Sequence, residues 1–405
     1  MIIYRNETDW TARRFFACLF FFIGCSVANA LGGLWQAAFY ILSLGLIFIG
    51  GRVFYSKGLY FFILSSALLI LILNHRDSSA GFIRVILESY IQANILIYFF
   101  RIKKYNDILI LLKSFVLFQV VFLIFMLGFP QIRELLLNYF YEGDAYQGEA
   151  FQTAISYRGF GISKHHLYGL PLAISFCVAL IITDRHESLS VKFFYFLLGS
   201  LLVALNARIG LVIILLALFW MLTTFSKSNV RHTFALVVAL SLISLIVFLL
   251  STIFSFSENM TLHWLKEGVS QLSNSNSNKA TTLSDLRGMI HIPSSSWELI
   301  FGRSYDCNIN SGCYSDIGFV RLINSGGLIS LFIVSLLYLY ISIFFWDSSS
   351  WKYSVSRCML LSFVFFVAMF KGEAYSASDY SRAFMVTCLI MMKIKIRKSN
   401  EAPSS

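Results

Sequence analysis

The sequence from Val191 to Phe225 gives the clearest indication of the fold class and reads VKFFYFLLGSLLVALNARIGLVIILLALFWMLTTF. As a single helix it would be about 52 Å long, whereas the hydrocarbon core of a bilayer is only about 30 Å thick. The polar break Asn206-Ala207-Arg208 divides it into two apolar segments. The stretch therefore predicts two successive membrane spans, with Arg208 at a membrane face.

The composition extends this pattern to the whole chain. Of the 405 residues, 58% are hydrophobic and 13% are charged, whereas soluble domains average about 45–50% and about 25%. This argues against a soluble enzyme, a disordered chain and a nucleic-acid-binding domain. The net charge of +11 lies mostly in short links between apolar runs, where basic residues set membrane topology. We predict an all-α polytopic membrane protein with a single integral membrane domain over residues 1–405.

Twelve spans are predicted from the length that a helix needs to cross a bilayer. They lie near residues 15–31, 34–51, 58–74, 80–100, 107–128, 166–183, 191–206, 208–225, 232–255, 317–345, 354–370 and 383–394. Alternate links are short and rich in Arg and Lys, which predicts that they lie in the cytoplasm together with both termini. The opposite face then carries two long loops, 129–165 and 256–316.

Two cysteines lie in the second long loop, Cys307 and Cys313. In an oxidising compartment they are predicted to form a disulfide, and the alternative is two free thiols. The seven histidines are scattered without the Cys/His spacing of a zinc site. No metal or other cofactor is predicted.

Five arginines on the predicted outer face are candidate ligand-binding residues: Arg158, Arg208, Arg287, Arg303 and Arg321. A guanidinium group offers a planar fork of donors that suits phosphate oxygens. Together these arginines indicate an anionic ligand at the outer leaflet, and a lipid diphosphate fits best. Each has a structural alternative: Arg208 could extend to the interface from a helix end, and Arg321 could pair with Asp316.

Group-transfer chemistry would also need a base, and the candidates on this face are Asp316, His165, His166, His291 and Glu373. The alternative for Asp316 is a carboxylate that the helix dipole favours at the start of a helix. In the fourth span, Arg84, Glu88 and Gln92 share one helical face. They either form an internal pair that fixes packing or line a substrate cavity.

Short motifs occur in a distinctive order. They are Tyr157-Arg158-Gly159-Phe160-Gly161, Asn206-Ala207-Arg208-Ile209-Gly210-Leu211, Leu286-Arg287, Glu298-Leu299-Ile300-Phe301-Gly302-Arg303, Ser315-Asp316-Ile317-Gly318-Phe319-Val320 and Gly326-Gly327. Over about residues 150–345 this order resembles the O-antigen polymerase (Wzy) and O-antigen ligase superfamily of bacterial inner membranes.

The resemblance implies a GT-C-like, metal-independent glycosyltransferase with a periplasmic active site. It would transfer the growing glycan from undecaprenyl diphosphate to a new lipid-linked repeat unit, and a chain-length regulator protein is a possible partner. By position, Arg158, Arg208 and Arg303 would hold the diphosphate, with Arg287 as a further candidate. Ligases carry a His where this chain has Asp316, which favours a polymerase. The alternatives are an O-antigen ligase and a lipid-linked oligosaccharide flippase or transporter.

Overall fold

The computed structural model describes residues 7–50, 68, 77–129, 131–132, 135–136, 161–163, 169–206, 209–225, 288–303, 315, 317–343, 351–370, 372, 374–375 and 378–401. Within these ranges the regular structure is helical, and none of the described residues forms a strand. The predicted spans 58–74 and 232–255 lie outside the described residues, apart from Leu68. Most residues of the two predicted long loops also lie outside the described part of the chain.

The described α-helices are named in chain order. They are α1 (Glu7–Phe22), α2 (Ala28–Leu31), α3 (Gly33–Gly50), α4 (Asp77–Asn94), α5 (Tyr105–Gly128), α6 (Gly169–Ile182), α7 (Leu189–Asn206), α8 (Ile209–Phe225), α9 (Ser296–Phe301), α10 (Gly318–Ser342), α11 (Trp351–Met369) and α12 (Asp379–Glu401). Two π-helical segments interrupt them: Ile23–Val27 joins α1 to α2, and Ile95–Phe99 continues α4.

Four of the described helical stretches are long and apolar enough to cross a membrane: Gly81–Phe99, Tyr105–Met126, Leu189–Asn206 and Gly318–Ser342. This confirms the prediction of a helical protein embedded in a membrane. Packing on either side supports the predicted break in the Val191–Phe225 stretch. A Cβ atom at Gly210 would lie 2.7 Å from Val203 Cγ1, whereas residues seven apart in one continuous helix lie about 10 Å apart along its axis. The count of twelve spans and the two long loops stay predictions.

Helix α6 lies at the centre of the bundle. Every residue from Gly169 to Ile182 is buried, and α5, α7, α8 and α12 pack around it. A Cβ atom at Gly210 of α8 would lie 2.4 Å from the hydroxyl oxygen of Ser175 and 3.0 Å from the carbonyl oxygen of Pro171. Glycine therefore lets the two backbones approach closely, as is typical of helix packing in membranes.

One end of the bundle, called the basic end below, is held by contacts of Arg14, Asp107, Lys113, Glu187 and Arg357. Arg14 Nη2 lies 2.9 Å from Asp107 Oδ1, and Lys113 forms an ion pair with Glu187. The guanidinium carbon of Arg357 lies 4.8 Å from the ring centre of Tyr105. These contacts join α1, α5, α11 and the α6–α7 turn at one end of the bundle.

Candidate functional site

Most residues of the predicted site lie outside the described part of the chain. They are Arg158, His165, His166, Arg208, Arg287, Cys307, Cys313 and Asp316. Their roles, including the disulfide, stay predictions. Arg303 and Arg321 are described, and the structure brings both to the corner where the short helix α9 meets the first half of α10.

The backbone fixes Arg303 at this corner. Its N–H donates to the carbonyl oxygen of Asn324 on α10 at 2.8 Å, three residues after Arg321. The Asn324 side chain donates to the carbonyl oxygen of His291 at 2.6 Å, which also ties the segment before α9 to α10. The guanidinium Nε of Arg303 lies 3.4 Å from Glu298 Oε2. The corner thus holds two of the five predicted arginines on connected backbone.

A glycine in α10 makes the corner possible. Gly327 has φ 68° and ψ −173°, which interrupts the helical conformation. A Cβ atom there would lie 2.0 Å from the carbonyl oxygen of Ile300 in α9. Only glycine adopts such a conformation readily. The sequence motif Gly326-Gly327 therefore marks a kink at which α9 packs directly on the backbone of α10.

The segment between α11 and α12 connects this corner to a second group of polar residues. A Cβ atom at Gly318, the first residue of α10, would lie 2.1 Å from the carbonyl oxygen of Gly372. The ring of Tyr375 lies 6.4 Å from the ring of Phe82 in α4, centre to centre. Phe82 is two residues before Arg84. The start of α10 and the polar face of α4 therefore lie at the same end of the bundle, opposite the basic end.

At this end, a buried carboxylate joins three helical segments. Glu88 Oε1 accepts hydrogen bonds of 2.8 Å from Arg84 Nε and from Gln36 Nε2. Its other oxygen, Oε2, accepts from Arg382 Nε at 3.0 Å and from Arg382 Nη2 at 2.8 Å. Arg84 Nη2 also donates to Gln36 Oε1. The Arg84–Glu88 ion pair therefore forms, with Gln36 and Arg382 as further partners of Glu88, while the Arg84 side chain is 46% exposed. Whether the pair only fixes packing or also lines a substrate cavity stays a prediction.

Sequence reasoning missed Arg382 because it placed the last span at 383–394, one residue too late to include it. The signal was Ser378 and Ser381, whose side chains accept from each other's backbone N–H at 3.2 and 3.1 Å. Such a reciprocal cap marks a helix start. It starts α12 at Asp379 and so places Arg382 inside the helix. The Arg382 side chain is fully buried.

A second set of amides and hydroxyls extends the group toward the bundle axis. Gln119 Nε2 donates to Ser26 Oγ and to the Ile162 carbonyl, and Gln119 Oε1 accepts from the Ile162 N–H, each at 3.0 Å. Ser26 Oγ lies 3.5 Å from Asp379 Oδ2. The following residues are called the polar cluster below: Ser26, Gln36, Arg84, Glu88, Gln119, Asp379 and Arg382.

The π-helical segment Ile23–Val27 places Ser26 in this cluster. Its wider turn leaves carbonyl groups without their usual helical N–H partners. Gln92 Nε2 donates to the carbonyls of Phe20 and Phe21 at 3.3 and 3.0 Å, and the Tyr40 hydroxyl lies 3.4 Å from the Gly24 carbonyl. These donors stabilise the widened turn, and π segments of this kind are frequent at functional sites.

The chemistry of the cluster is that of a buried ion network in an apolar bundle. Burying a carboxylate and a guanidinium group costs several kcal/mol each unless geometry and hydrogen bonds compensate. Here Glu88 accepts four hydrogen bonds from Arg84, Gln36 and Arg382. Ionisable groups inside a membrane bundle are rare and mark substrate, ion or proton sites by default. The cluster is therefore a candidate functional site alongside the α9–α10 corner.

A scan of the sequence against protein-family models finds no match, and a comparison with curated proteins finds no similar sequence. The function is therefore argued from the residues themselves.

Proposed function

We propose that the protein is an O-antigen polymerase of the bacterial inner membrane. It would transfer the growing glycan from undecaprenyl diphosphate to a new lipid-linked repeat unit at the periplasmic face. The motif order over about residues 150–345 supports this proposal. So does the apolar helical bundle, since both substrates are anchored in a membrane.

One observation carries the proposal: the α9–α10 corner, with Arg303 and Arg321, lies at the same end of the bundle as the polar cluster. Gly372 and Tyr375 connect the two through their contacts with Gly318 and Phe82. Cationic donors from separate parts of the chain thus share one end, where a diphosphate head group could meet them.

The proposed reaction places these donors at the leaving group. A hydroxyl oxygen of the acceptor sugar attacks the anomeric carbon of the donor glycan. The bond from that carbon to the diphosphate oxygen breaks, and the hydroxyl proton passes to a base, for which Asp316, His165 and His166 are the candidates. Undecaprenyl diphosphate leaves with added negative charge, and preorganised guanidinium donors stabilise that charge in the transition state.

The proposed topology follows from the basic end. Arg14, Lys113 and Arg357 lie there, and Lys and Arg concentrate on the cytoplasmic side of membrane proteins. With twelve spans, both termini then lie in the cytoplasm. The corner and the polar cluster face the periplasm, where no nucleotide sugar is needed because the donor is lipid-linked.

The ion network also favours a second function, a lipid-linked oligosaccharide flippase or transporter. Glu88 and Arg382 form an ion pair between α4 and α12 in the buried part of the bundle. Charged groups at such depth are typical of transporters. The kinked helix α10 is a further feature that transporters share.

The proposal is tested in a strain that lacks the chromosomal copy of the gene and carries plasmid-borne variants. Arg303→Ala and Arg208→Ala should lower polymer formation by about 100-fold, as loss of one preorganised donor does elsewhere. The matched control is Arg185→Ala, an exposed arginine in the α6–α7 turn near the basic end. Chain length is read from the lipopolysaccharide ladder on a gel.

The deletion strain itself separates the candidate functions. Without a polymerase, the lipid A core still receives one repeat unit. Without a ligase or a flippase it receives none, and without a flippase the lipid-linked repeat unit stays on the cytoplasmic face. A full ladder from both Arg→Ala variants would contradict the assigned site, and a core without any repeat unit would contradict the polymerase.

A further inference from the structure

We infer that Arg84, at the rim of the polar cluster, binds the phosphate of a lipid head group. This deepens the proposed function, and rests on it for the identity of the lipid, which would be undecaprenyl diphosphate. Arg84 lies in the N-terminal half of the chain, outside residues 150–345 that carry the resemblance.

Arg84 lies close to a membrane boundary. It precedes Phe99, the last residue of the π segment after α4, by 15 positions, which corresponds to about 22 Å along a helix. Arg101, two residues after Phe99, belongs to the links predicted to lie in the cytoplasm. With Phe99 at the inner boundary of a hydrocarbon core about 30 Å thick, Arg84 lies about 8 Å from the outer boundary, from which a guanidinium group reaches the phosphate layer.

The orientation of the Arg84 side chain is fixed on one edge and open on the other. Its Nε donates to Glu88 Oε1 at 2.8 Å and its Nη2 donates to Gln36 Oε1. A guanidinium group has five N–H donors, so these two bonds leave three without an acceptor among the described residues. The side chain is 46% exposed. An arginine that only extends toward the membrane interface needs no side-chain partners. In contrast, Glu88 and Gln36 fix the plane of the Arg84 guanidinium group.

Arg84 is the exposed cation of the polar cluster. Glu88 carries one negative charge and shares it between two guanidinium groups, because its Oε2 accepts both bonds from the fully buried Arg382. The second carboxylate of the cluster, Asp379, contacts Ser26 and lies on α12 beside Arg382. Two carboxylates thus balance the two guanidinium groups of the cluster, and of these two only Arg84, whose side chain is 46% exposed, meets the surroundings, where it can bind an anion.

A phosphate suits this open edge better than other anions do. The two parallel N–H donors of a guanidinium group match two phosphate oxygens. Phosphate is also the anion that lipids present just outside the hydrocarbon core, within reach of an extended arginine side chain. A diphosphate has a second phosphate, which the donors of the α9–α10 corner at the same end of the bundle would bind.

The test measures lipid binding by the full-length protein with native mass spectrometry. The three probes are undecaprenyl diphosphate, phosphatidylglycerol and inorganic pyrophosphate. Arg84→Gln should raise the dissociation constant for undecaprenyl diphosphate by at least about tenfold, since hydrogen bonds to charged groups are worth about 1.5–3 kcal/mol. Arg84→Lys keeps the charge without the fork and should give a smaller rise. Arg185→Gln is the matched control and should bind like the wild type.

Each outcome decides between the sources of the phosphate. Competition by inorganic pyrophosphate supports recognition of the head group. Arg84-dependent binding of phosphatidylglycerol with equal affinity supports the phosphate site but contradicts a lipid diphosphate as its ligand. Unchanged binding of all three probes by Arg84→Gln and Arg84→Lys, both with wild-type circular dichroism, overturns the inference.

The inference and the proposed function can fail separately. If wild-type protein binds undecaprenyl diphosphate through Arg84 but the deletion strain still makes long polymer, the site stands and the polymerase fails. If the deletion strain loses polymer and Arg84→Gln binds lipid normally, the polymerase stands and the Arg84 site fails.

Discussion

The two ends of the bundle each hold an arginine–carboxylate pair, and the two arginines differ in solvation. At the basic end, the side chains of Arg14 and Asp107 are 29% and 11% exposed. At the other end, Arg382 and Glu88 are 0% and 9% exposed and join α12 to α4 across 294 positions of sequence. Both pairs have a shortest contact of 2.8–2.9 Å and carboxylates of similar exposure, so they differ in the burial of the guanidinium group.

The burial of Arg382 changes the energetics of its pair. Partly exposed pairs contribute about 0–1 kcal/mol, so the Arg14–Asp107 pair should add little to stability. A buried pair has a large desolvation cost that its Coulomb attraction only balances. Because such a pair is weak evidence for stability, a further role is a hypothesis to test, and the polar cluster is a candidate site.

The largest expected effect comes from breaking the buried pair on one side. Arg382→Ala leaves Glu88 buried without its bidentate partner and should lower the free energy of unfolding by about 3–5 kcal/mol. The measurement is thermal unfolding of the detergent-solubilised protein, followed by tryptophan fluorescence. Arg14→Ala at the basic end is the matched control and should cost about 0–1 kcal/mol.

A double variant separates the loss of the ion pair from the cost of leaving one charge buried without a partner. Replacing both charges, in Glu88→Gln with Arg382→Leu, should cost less than Arg382→Ala alone because no uncompensated buried charge remains. Equal losses for Arg382→Ala and Arg14→Ala would mean that the two ends do not differ in solvation, and the role given to the polar cluster would be wrong.

The next effect concerns the corner that shares this end with the cluster. Gly327→Ala forces a Cβ atom to within 2.0 Å of the Ile300 carbonyl oxygen at a φ of 68°. It should cost about 1–3 kcal/mol through backbone strain alone and should shorten the polymer as Arg303→Ala does, because it displaces α9. Unfolding temperature and the lipopolysaccharide ladder are measured together.

The control for this variant is Gly45→Ala in α3, where an added Cβ atom meets open space. Alanine favours a helix over glycine by about 0.5–1 kcal/mol, so Gly45→Ala should leave stability equal or higher. If Gly327→Ala is as stable as Gly45→Ala and makes a full ladder, the kink of α10 does not position Arg303.

Four described helices were predictable as membrane spans because each is long and apolar enough to cross a bilayer. The polar break at Asn206 and the Arg84–Glu88 pair followed from spacing alone. The rest of the polar cluster did not, because Gln36 and Arg382 reach Glu88 from 52 and 294 positions away. Such contacts depend on how helices pack, which periodicity does not specify.

Two local features escaped prediction for a related reason. The π-helical segment at Ile23–Val27 depends on Gln92, which donates to carbonyls about 70 positions earlier in the chain. The Gly326-Gly327 motif was visible in the sequence, but its kink depends on α9 packing against it. The local sequence shows where a helix can deform, but the deformation depends on a contact from a distant part of the chain.

The smallest expected effect comes from replacing a buried acid near the basic end, in the turn between α6 and α7. Asp184 is 2% exposed and its Oδ2 accepts from the N–H groups of His186 and Glu187 at 2.9 and 3.1 Å. Burial raises the pKa of Asp184 above its usual value, and these hydrogen bonds offset only part of that rise. A raised folded-state pKa means that folding favours the protonated form, so this contribution to stability is complete at low pH and lost as pH rises through the folded pKa.

Asp184→Asn removes the charge and keeps an amide oxygen that can accept the same two backbone bonds. The variant should therefore unfold at a higher temperature than wild type at pH 8. The gap should close below about pH 4, where the carboxyl of wild type is protonated in both states. A variant that is less stable than wild type at pH 8 would mean that the attraction between Asp184 and nearby cations outweighs its desolvation. In that case, electrostatic attraction between partly buried charges would stabilise the basic end, as the ion network stabilises the polar cluster.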